Sequence, residues 1–530
     1  MENWQETEKK WQKYWEENHV YKYDENSQRE NYSIDTPPPT ISGKMHIGHA
    51  SSYTHEDVVV RFERMKGKKI IFPFGTDDNG LPTERFIEKE KNVSSKKMQR
   101  NEFIELCNKT LEEIRPQFIQ NWKDIGMSCD FDLSYSTINK ECQKISQKYF
   151  IDLFNKGLAY KKETPIFWCP ICGTAVAQAE LEDKNIPSVF YNINFDLKER
   201  GKITIATTRP ELLSSCVAIF VNPEDERYKD LVGKKVITPI FKNEVEIMAD
   251  EKVDKEKGTG IVMCCTFGDT TDIEWYMSHD LELKTSISKD GKMTELAKEF
   301  EGLKIKKARQ KIIEKLKEEG RIVKEKSIEH LVNIHERCGT EIEILPTNQW
   351  FIKILENKEK FIERGREIKW NPKHLIHRYE NWINNLKWDW CISRQRFFGI
   401  PFPVWFCEKC GEIILADEKD LPVDPLSQKP SKKCRCGNNT FIPEKDVMDT
   451  WATSSLTPQI LENLVREKLI PMDLRAQAHD IISTWLFYTV VRSEYIENKI
   501  PWKEVLISGF VLDPKGEKMS KSKGNIVEPK

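Results

Sequence analysis

Pro37-Pro38-Pro39-Thr40-Ile41-Ser42-Gly43-Lys44-Met45-His46-Ile47-Gly48-His49 separates a strand-like run, Tyr32-Ser33-Ile34-Asp35, from a run with helical spacing. Three consecutive prolines hold the chain extended and forbid an early helix, so the exit from the strand is rigid. After Gly43 the residues Ile47, Ala50, Tyr53, Val58, Phe62 and Met65 fall on one side, and Gly67 closes the pattern as a C-cap. A second strand, Ile70-Ile71-Phe72-Pro73-Phe74, follows at once. Strand, helix and strand in this order predict a βαβ unit. With it comes a parallel sheet whose ligand crevice lies outside the carboxyl ends of the strands.

His46 and His49 share a face at the start of the helix, beside Gly48, which has no side chain to keep a flat base away. A helix N-terminus with two imidazoles suits a triphosphate, because its amides and dipole already favour anions. Read alone, a His-x-x-His pair is more often a surface pair or half a metal site. A second signal stands near the far end, Gly516-Glu517-Lys518-Met519-Ser520-Lys521-Ser522-Lys523-Gly524-Asn525. By itself this basic, glycine-flanked loop reads as a solvated turn.

The chain of 530 residues is too long for one core and should divide into three or four domains. With 83 Lys+Arg against 85 Asp+Glu the net charge is −2, so contact with nucleic acid must come from local patches. No apolar run is long enough to span a bilayer, and the polar start, with Trp4, Trp11 and Trp15 at helix-compatible spacing, is unlike a signal peptide. A cytoplasmic protein without membrane contact is expected. Six of the fourteen cysteines fall into Cys-x-Cys or Cys-x-x-Cys units, which favours metal in a reducing compartment over disulfides.

Gly75-Thr76-Asp77-Asp78-Asn79-Gly80-Leu81-Pro82-Thr83-Glu84 follows the second strand directly; its acidic pair either holds an ammonium group or caps an ordinary turn. The stretch from about 96 to 157 is helical in pattern. Cys169 and Cys172 form a knuckle with zinc-ligand spacing, and His335 and Cys338 could complete it; the bland alternative is an inert thiol pair and a surface histidine. Closure of that set requires the chain to leave and return to one place, as an inserted domain does. The segment 188–330 reads as β-rich, with strands near 202–206, 217–221, 235–239 and 260–264. It carries Ala206-Thr207-Thr208-Arg209-Pro210-Glu211 and a glycine-rich stretch leading to Asp269 and Asp272. Cys407, Cys410, Cys434 and Cys436 have the spacing of a zinc ribbon; four thiolates would leave no open position, so this Zn²⁺ is structural.

Together, the two histidines and the lysine-rich loop resemble the HIGH and KMSKS signatures of class I aminoacyl-tRNA synthetases, and the resemblance runs over nearly the whole chain. It implies an α/β fold, with a Rossmann-like parallel-sheet catalytic domain, an inserted β-rich editing domain and a zinc-ribbon insertion. The boundaries expected are 1–187 for the N-terminal helix, first catalytic half and zinc knuckle, 188–330 for the editing domain, and 331–530 for the second catalytic half. By the same resemblance His46, His49, Lys518 and Lys521 would be catalytic. Gly48 and Asp480 would join the lysines in binding ATP with Mg²⁺, while Pro39, Thr40, Asp77, Trp451 and Trp485 would border the amino acid. In the insert, Thr207, Thr208 and Arg209 would meet the terminal adenosine of tRNA, with Asp269 and Asp272 at the editing centre and Asp272 on the α-amino group. One departure stands out: Ala478 lies where related enzymes commonly carry glycine.

Within the class, the stretches Gly75–Glu84 and Cys265–Asp269 are most similar to the valyl enzymes of archaeal type, ahead of the isoleucyl or leucyl ones. This implies valine, ATP and tRNA(Val) as substrates. Threonine is nearly isosteric with valine, and an apolar pocket rejects such an isostere weakly, the valyl enzymes being the usual illustration; hence a hydrolytic second site is expected. Members of the family continue into a helical domain that binds the anticodon stem. The chain is therefore expected to be a truncated sequence or half of a split enzyme, with a separate polypeptide carrying that domain. Two rivals remain at this stage, a non-catalytic tRNA-binding paralogue and a small-molecule adenylyltransferase.

Overall fold

The computed structural model describes residues 4–41, 45–516, 519, 525 and 527. It divides into two compact units, Met1–Tyr160 with Trp350–Lys530, and Lys161–Gln349. The expected insert 188–330 lies inside the second unit, which also takes in both halves of the first cysteine knuckle.

The first unit is built on a five-stranded, all-parallel sheet of β1 (Asn31–Asp35), β2 (Lys69–Ile71), β3 (Lys369–Asn371), β4 (Met472–Ala478) and β5 (Trp502–Ser508), in the order β3-β5-β4-β1-β2. An amphipathic helix α1 (Trp4–Glu17) precedes it, with Trp4 and Trp11 largely exposed. The predicted βαβ unit is present: β1, then α2 (Ile47–Met65), then β2, with Gly67 in the left-handed conformation just past the helix end.

Two local readings change. The buried residues of α2 are Tyr53, Glu56, Asp57 and Val60, whereas Val58, Phe62 and Met65 are 61%, 54% and 80% exposed. Hydrogen bonds turn the helix this way. Thr36 Oγ1 donates to Glu56 Oε1 at 2.8 Å, while Asp57 accepts from the Ser128 amide at 2.7 Å and from Arg61 Nε at 2.6 Å, so two acids can be buried without orphaned oxygens at those contacts. The stretch 96–157 is not all helix: between Arg100–Asp124 and Lys140–Asn155 runs a strand, Asp130–Ser136, which pairs in parallel with Pro73–Thr76.

The second unit is a mixed sheet. Strands Ile261–Cys265, Cys216–Val221, Glu244–Ala249, Lys235–Ile237, Leu181–Leu197 and Ile322–His335 follow one another across it, and Lys202–Thr207 pairs with Leu181–Leu197. Its longest feature is an antiparallel ribbon of Leu181–Leu197 with Ile322–His335, in register from Asn192↔Lys324 to Leu181↔His335, with an irregularity between Ile322 and Lys324. The cysteine segment 407–436 lies in the first unit beside a small three-stranded sheet of Val404–Cys407, Ile413–Leu415 and Phe441–Pro443. Among the described residues, no helix is long and apolar enough to cross a membrane.

Candidate functional site

At the carboxyl edge of the parallel sheet, His46 caps α2: its Nδ1 accepts the His49 amide at 3.3 Å, and the two imidazoles stack 3.8 Å apart. An Nδ1 that accepts cannot carry the ring proton, so neutral His46 presents Nε2–H as its donor. A Cβ on Gly48 would sit 2.9 Å from His46 Nδ1, which makes glycine a condition of this stacked pair. The C-terminal segment returns to the same place. The Val527 carbonyl accepts the Ile47 amide at 2.9 Å, Asn525 Nδ2 donates to Asp513 Oδ2 at 2.9 Å, and the Ser52 and Ser508 hydroxyls lie 3.0 Å apart. Lys518 and Lys521 themselves lie outside the described residues. Asp480 sits in the short turn His479–Ile481 directly after β4, where Ala478 pairs with Ser508 of β5.

The other candidates gather beside this edge. The Asp77 amide donates to the Pro39 carbonyl at 3.0 Å, and Asp77 Oδ1 accepts from Thr137 Oγ1 at 2.7 Å; Thr40 is exposed. Thr450 Oγ1 donates to the Asn79 carbonyl at 3.0 Å, which sets the helical turn Thr450–Ser454, and with it Trp451, against the Asp77–Gly80 turn. Trp485 Nε1 donates to the Ser454 carbonyl at 2.8 Å. The segments that carry Pro39, Asp77, Trp451 and Trp485 are thus tied to one another by hydrogen bonds. Asp78 is spent elsewhere, accepting from Thr76 and Ser136 hydroxyls and from Arg115 Nη2 at 3.0 Å. Sequence reasoning missed Glu84 as an organiser. It is fully buried, pairs with Arg396, and accepts the Phe397 and Phe398 amides at 2.8 and 2.6 Å, pinning the return segment 396–398 to the first half of the fold.

In the second unit a cavity of about 190 Å³ brings Thr208, Arg209 and Asp269 together with Arg309, His330 and Glu343, none of the last three foreseen. Asp269 caps α3 (Thr270–Ser278), accepting the Thr271 and Asp272 amides at 2.8 and 3.1 Å. Asp272 reciprocates, its Oδ2 accepting the Gly268 amide at 2.7 Å and the Asp269 amide at 3.3 Å. Burial, and then the Asp269 charge, push the Asp272 carboxyl up to about 8 despite these amides. Thr207 is buried, its hydroxyl accepting the Arg209 amide at 3.0 Å. Neither Thr207 nor Asp272 is among the residues that line the cavity. Arg209 spends its guanidinium on Glu343 at 2.7 Å and Glu211 at 2.9 Å, and Arg309 holds Glu211 through two bonds of 2.8 Å. Burial and the neighbouring Lys257, Arg209 and Arg309 lower the His330 pKa.

Both predicted cysteine sets converge. The ligand atoms of Cys169, Cys172, His335 and Cys338 all lie within 4.8 Å of one another, as do those of Cys407, Cys410, Cys434 and Cys436. Sulfur pairs Cys169–Cys338, Cys410–Cys434 and Cys407–Cys436 are 3.5, 3.5 and 3.6 Å apart. Thiolates at two corners of a zinc tetrahedron stand about 3.8 Å apart. The donor sets and their spacing thus fit a four-coordinate zinc. The first set is assembled at the base of the long ribbon, where Leu181 faces His335.

The comparisons agree with this architecture. The family profile for tRNA synthetases class I (I, L, M and V) matches residues 10–530. The Valine--tRNA ligase of Thermoplasma acidophilum is 53% identical over 524 residues, 98% of this chain and 66% of that relative. That of Thermoplasma volcanium is 52% identical with the same coverage, and that of Rickettsia conorii 48% identical over 542 residues, 99% of this chain and 66% of the relative. The chain thus spans about 66% of the length of the curated relatives it matches. Among solved structures, LeuRS of Agrobacterium radiobacter, in a ternary complex with tRNA and LeuAMS, superposes with a TM-score of 0.52 at 19% identity. The match covers 98% of this chain and 70% of that one, and it supports the shared fold. With a profile match over nearly its whole length, the chain belongs to the class I tRNA synthetases, in the group of the I, L, M and V enzymes.

Proposed function

We propose that this chain activates valine with ATP and, with the part of the protein its relatives carry in addition, transfers valine to tRNA(Val). The reading is carried by the return of the C-terminal segment to the start of α2, through the Ile47 amide and the Val527 carbonyl; the identity of the relatives names valine. In the first step a valine carboxylate oxygen attacks the α-phosphorus, the α–β phosphoanhydride bond breaks and pyrophosphate leaves. Little proton chemistry is required, so the work is positioning and neutralisation of growing negative charge. His46 Nε2–H and the His49 imidazole serve this from the α2 side, Lys518 and Lys521 from the C-terminal loop, and Asp480 holds the ribose. Gly48 leaves room for the adenine. Mg²⁺ accompanying the triphosphate supplies further charge compensation. Pro39, Thr40, Asp77, Trp451 and Trp485 receive valine, with Asp77 toward the ammonium group. In the second step a terminal tRNA hydroxyl attacks the valyl carbonyl and AMP leaves.

The insert, on this reading, removes threonine mistakenly joined to tRNA(Val). Thr208, Arg209 and Asp269 supply the cavity wall, and Thr207 and Asp272 support it from behind. Cys169, Cys172, His335 and Cys338 hold one structural Zn²⁺, and Cys407, Cys410, Cys434 and Cys436 a second. The anticodon-binding domain comes from the remainder of the protein or from a separate polypeptide, and the enzyme works in the cytoplasm. ATP–pyrophosphate exchange with valine, isoleucine, leucine and threonine tests the reading: valine should exchange fastest, and exchange with none of them would overturn it.

A further inference from the structure

Against Trp485 lies a buried arginine to which neither the reaction nor the sequence gives a task. Arg475 stands mid-strand in β4, in register with Asp35 at the end of β1, and both side chains are fully buried. Its Nη1 donates to Asp35 Oδ2 at 2.5 Å and its Nε to Gln477 Oε1 at 3.2 Å. The guanidinium lies over two indoles: its carbon is 3.6 Å from the Trp485 ring centre and 4.8 Å from that of Trp502. Trp502 Nε1 donates to the same Asp35 oxygen at 2.7 Å. Trp485 belongs to a single π-helical turn, Ile482–Leu486, a local irregularity of the kind that re-aims a side chain.

Stability alone is a poor account of this arrangement. Arg475 Nη2 and Asp35 Oδ1 are buried without a hydrogen-bond partner among the described residues. A buried ion pair with orphaned atoms costs more than apolar residues of the same volume would. What the pair does provide is geometry. The Trp485 ring is held at its edge by Ser454 and on its face by a planar cation that is itself fixed at two further points, so the ring can neither tilt nor slide.

We propose that Arg475 is a positioning residue for amino-acid selection: clamped to Asp35 and stacked on Trp485, it fixes the plane of that indole and so the size of side chain the crevice admits. This rests on the reading that Trp485 borders the amino-acid pocket. Lysine at this position would keep the charge and lose both the flat face and the fork.

The test is ATP–pyrophosphate exchange by the 530-residue chain, with valine, isoleucine and threonine as separate substrates. In Arg475→Lys, KM for valine should rise about tenfold and the preference for valine over isoleucine should fall by a similar factor, with kcat and KM for ATP unchanged. Trp502→Phe, which removes the indole nitrogen that donates to Asp35, should move the same two quantities in the same direction by a smaller factor. It decides the matter if Arg475→Lys does not fold. Unchanged valine KM and selectivity in the folded variant, or a fall in kcat with every amino-acid KM unaltered, would overturn the proposal. A wild-type chain that exchanges with none of the amino acids overturns the function and this inference together, whereas wild-type valine exchange with an indifferent Arg475→Lys removes this inference alone.

Discussion

The two candidate sites treat charge in opposite ways. At the edge of the parallel sheet, the candidate groups are a helix start, two stacked imidazoles and backbone turns held by local hydrogen bonds. In the insert, both arginines that line the cavity are already bonded to carboxylates, Arg209 to Glu343 on the lining and to Glu211 outside it, and Arg309 to Glu211. A ligand at the first site meets fixed dipoles at no cost of reorganisation. A ligand at the second must displace an internal partner or settle among neutralised charges.

The largest effects should come from what holds the second site together. Cys172→Ser removes one of four donors that close the ribbon, and structural zinc contributes on the order of 10 kcal/mol to folding of small domains. The insert should then lose its resistance to proteolysis and one bound zinc, while the sheet unit keeps its exchange activity. Joint collapse of both units would erase the distinction drawn here. Next comes Gly48→Ala, whose added methyl meets His46 at 2.9 Å. Displacing that imidazole should lower valine-dependent exchange about 100-fold and leave hydrolysis of Thr-tRNA untouched. Asp272→Ala is the mirror case: valine exchange should stay at the wild-type rate while clearance of Thr-tRNA falls roughly tenfold or more. Unchanged clearance would remove Asp272 from that role.

The last effect is read on stability and not on activity, and concerns Glu56, which burial pushes from 4.5 up to about 8 against the hydrogen bond from Thr36. The folded chain then binds this proton where the unfolded chain releases it. Its contribution to stability is complete below about pH 4.5 and is lost as pH rises through 8. In melting curves from pH 5 to 9, Glu56→Gln, neutral throughout, should become more stable relative to wild type by on the order of a few kcal/mol as pH rises. A pH-independent difference between the two would place a charged Glu56 in the fold.

How much of this could be read beforehand depends on the reach of the interactions involved. The βαβ unit and the cysteine sets were legible because proline rigidity, helical spacing and ligand spacing act within a few residues. The strand Asp130–Ser136 was legible in principle, since Phe131, Leu133 and Tyr135 alternate, but it is short and flanked by two helices that dominate any wider window. The buried face of α2 was not: it is chosen by Thr36 and Ser128, partners beyond the helix, and no periodicity of apolar residues reports a buried carboxyl. Likewise Thr208, Arg209 and Asp269 do share a cavity, yet Glu343, which occupies the guanidinium of Arg209, is 134 positions away along the chain. Arg475 is the extreme case, its partner Asp35 standing 440 positions upstream on a neighbouring strand.

The register Leu181↔His335 has a practical meaning. Because the outgoing and returning strands run side by side at that rung, a two-residue turn would suffice to join them. Everything between could be cut away, or exchanged for the equivalent portion of another synthetase, without leaving a gap at that rung. The segment between those rungs is, in engineering terms, a cartridge on a two-strand mount.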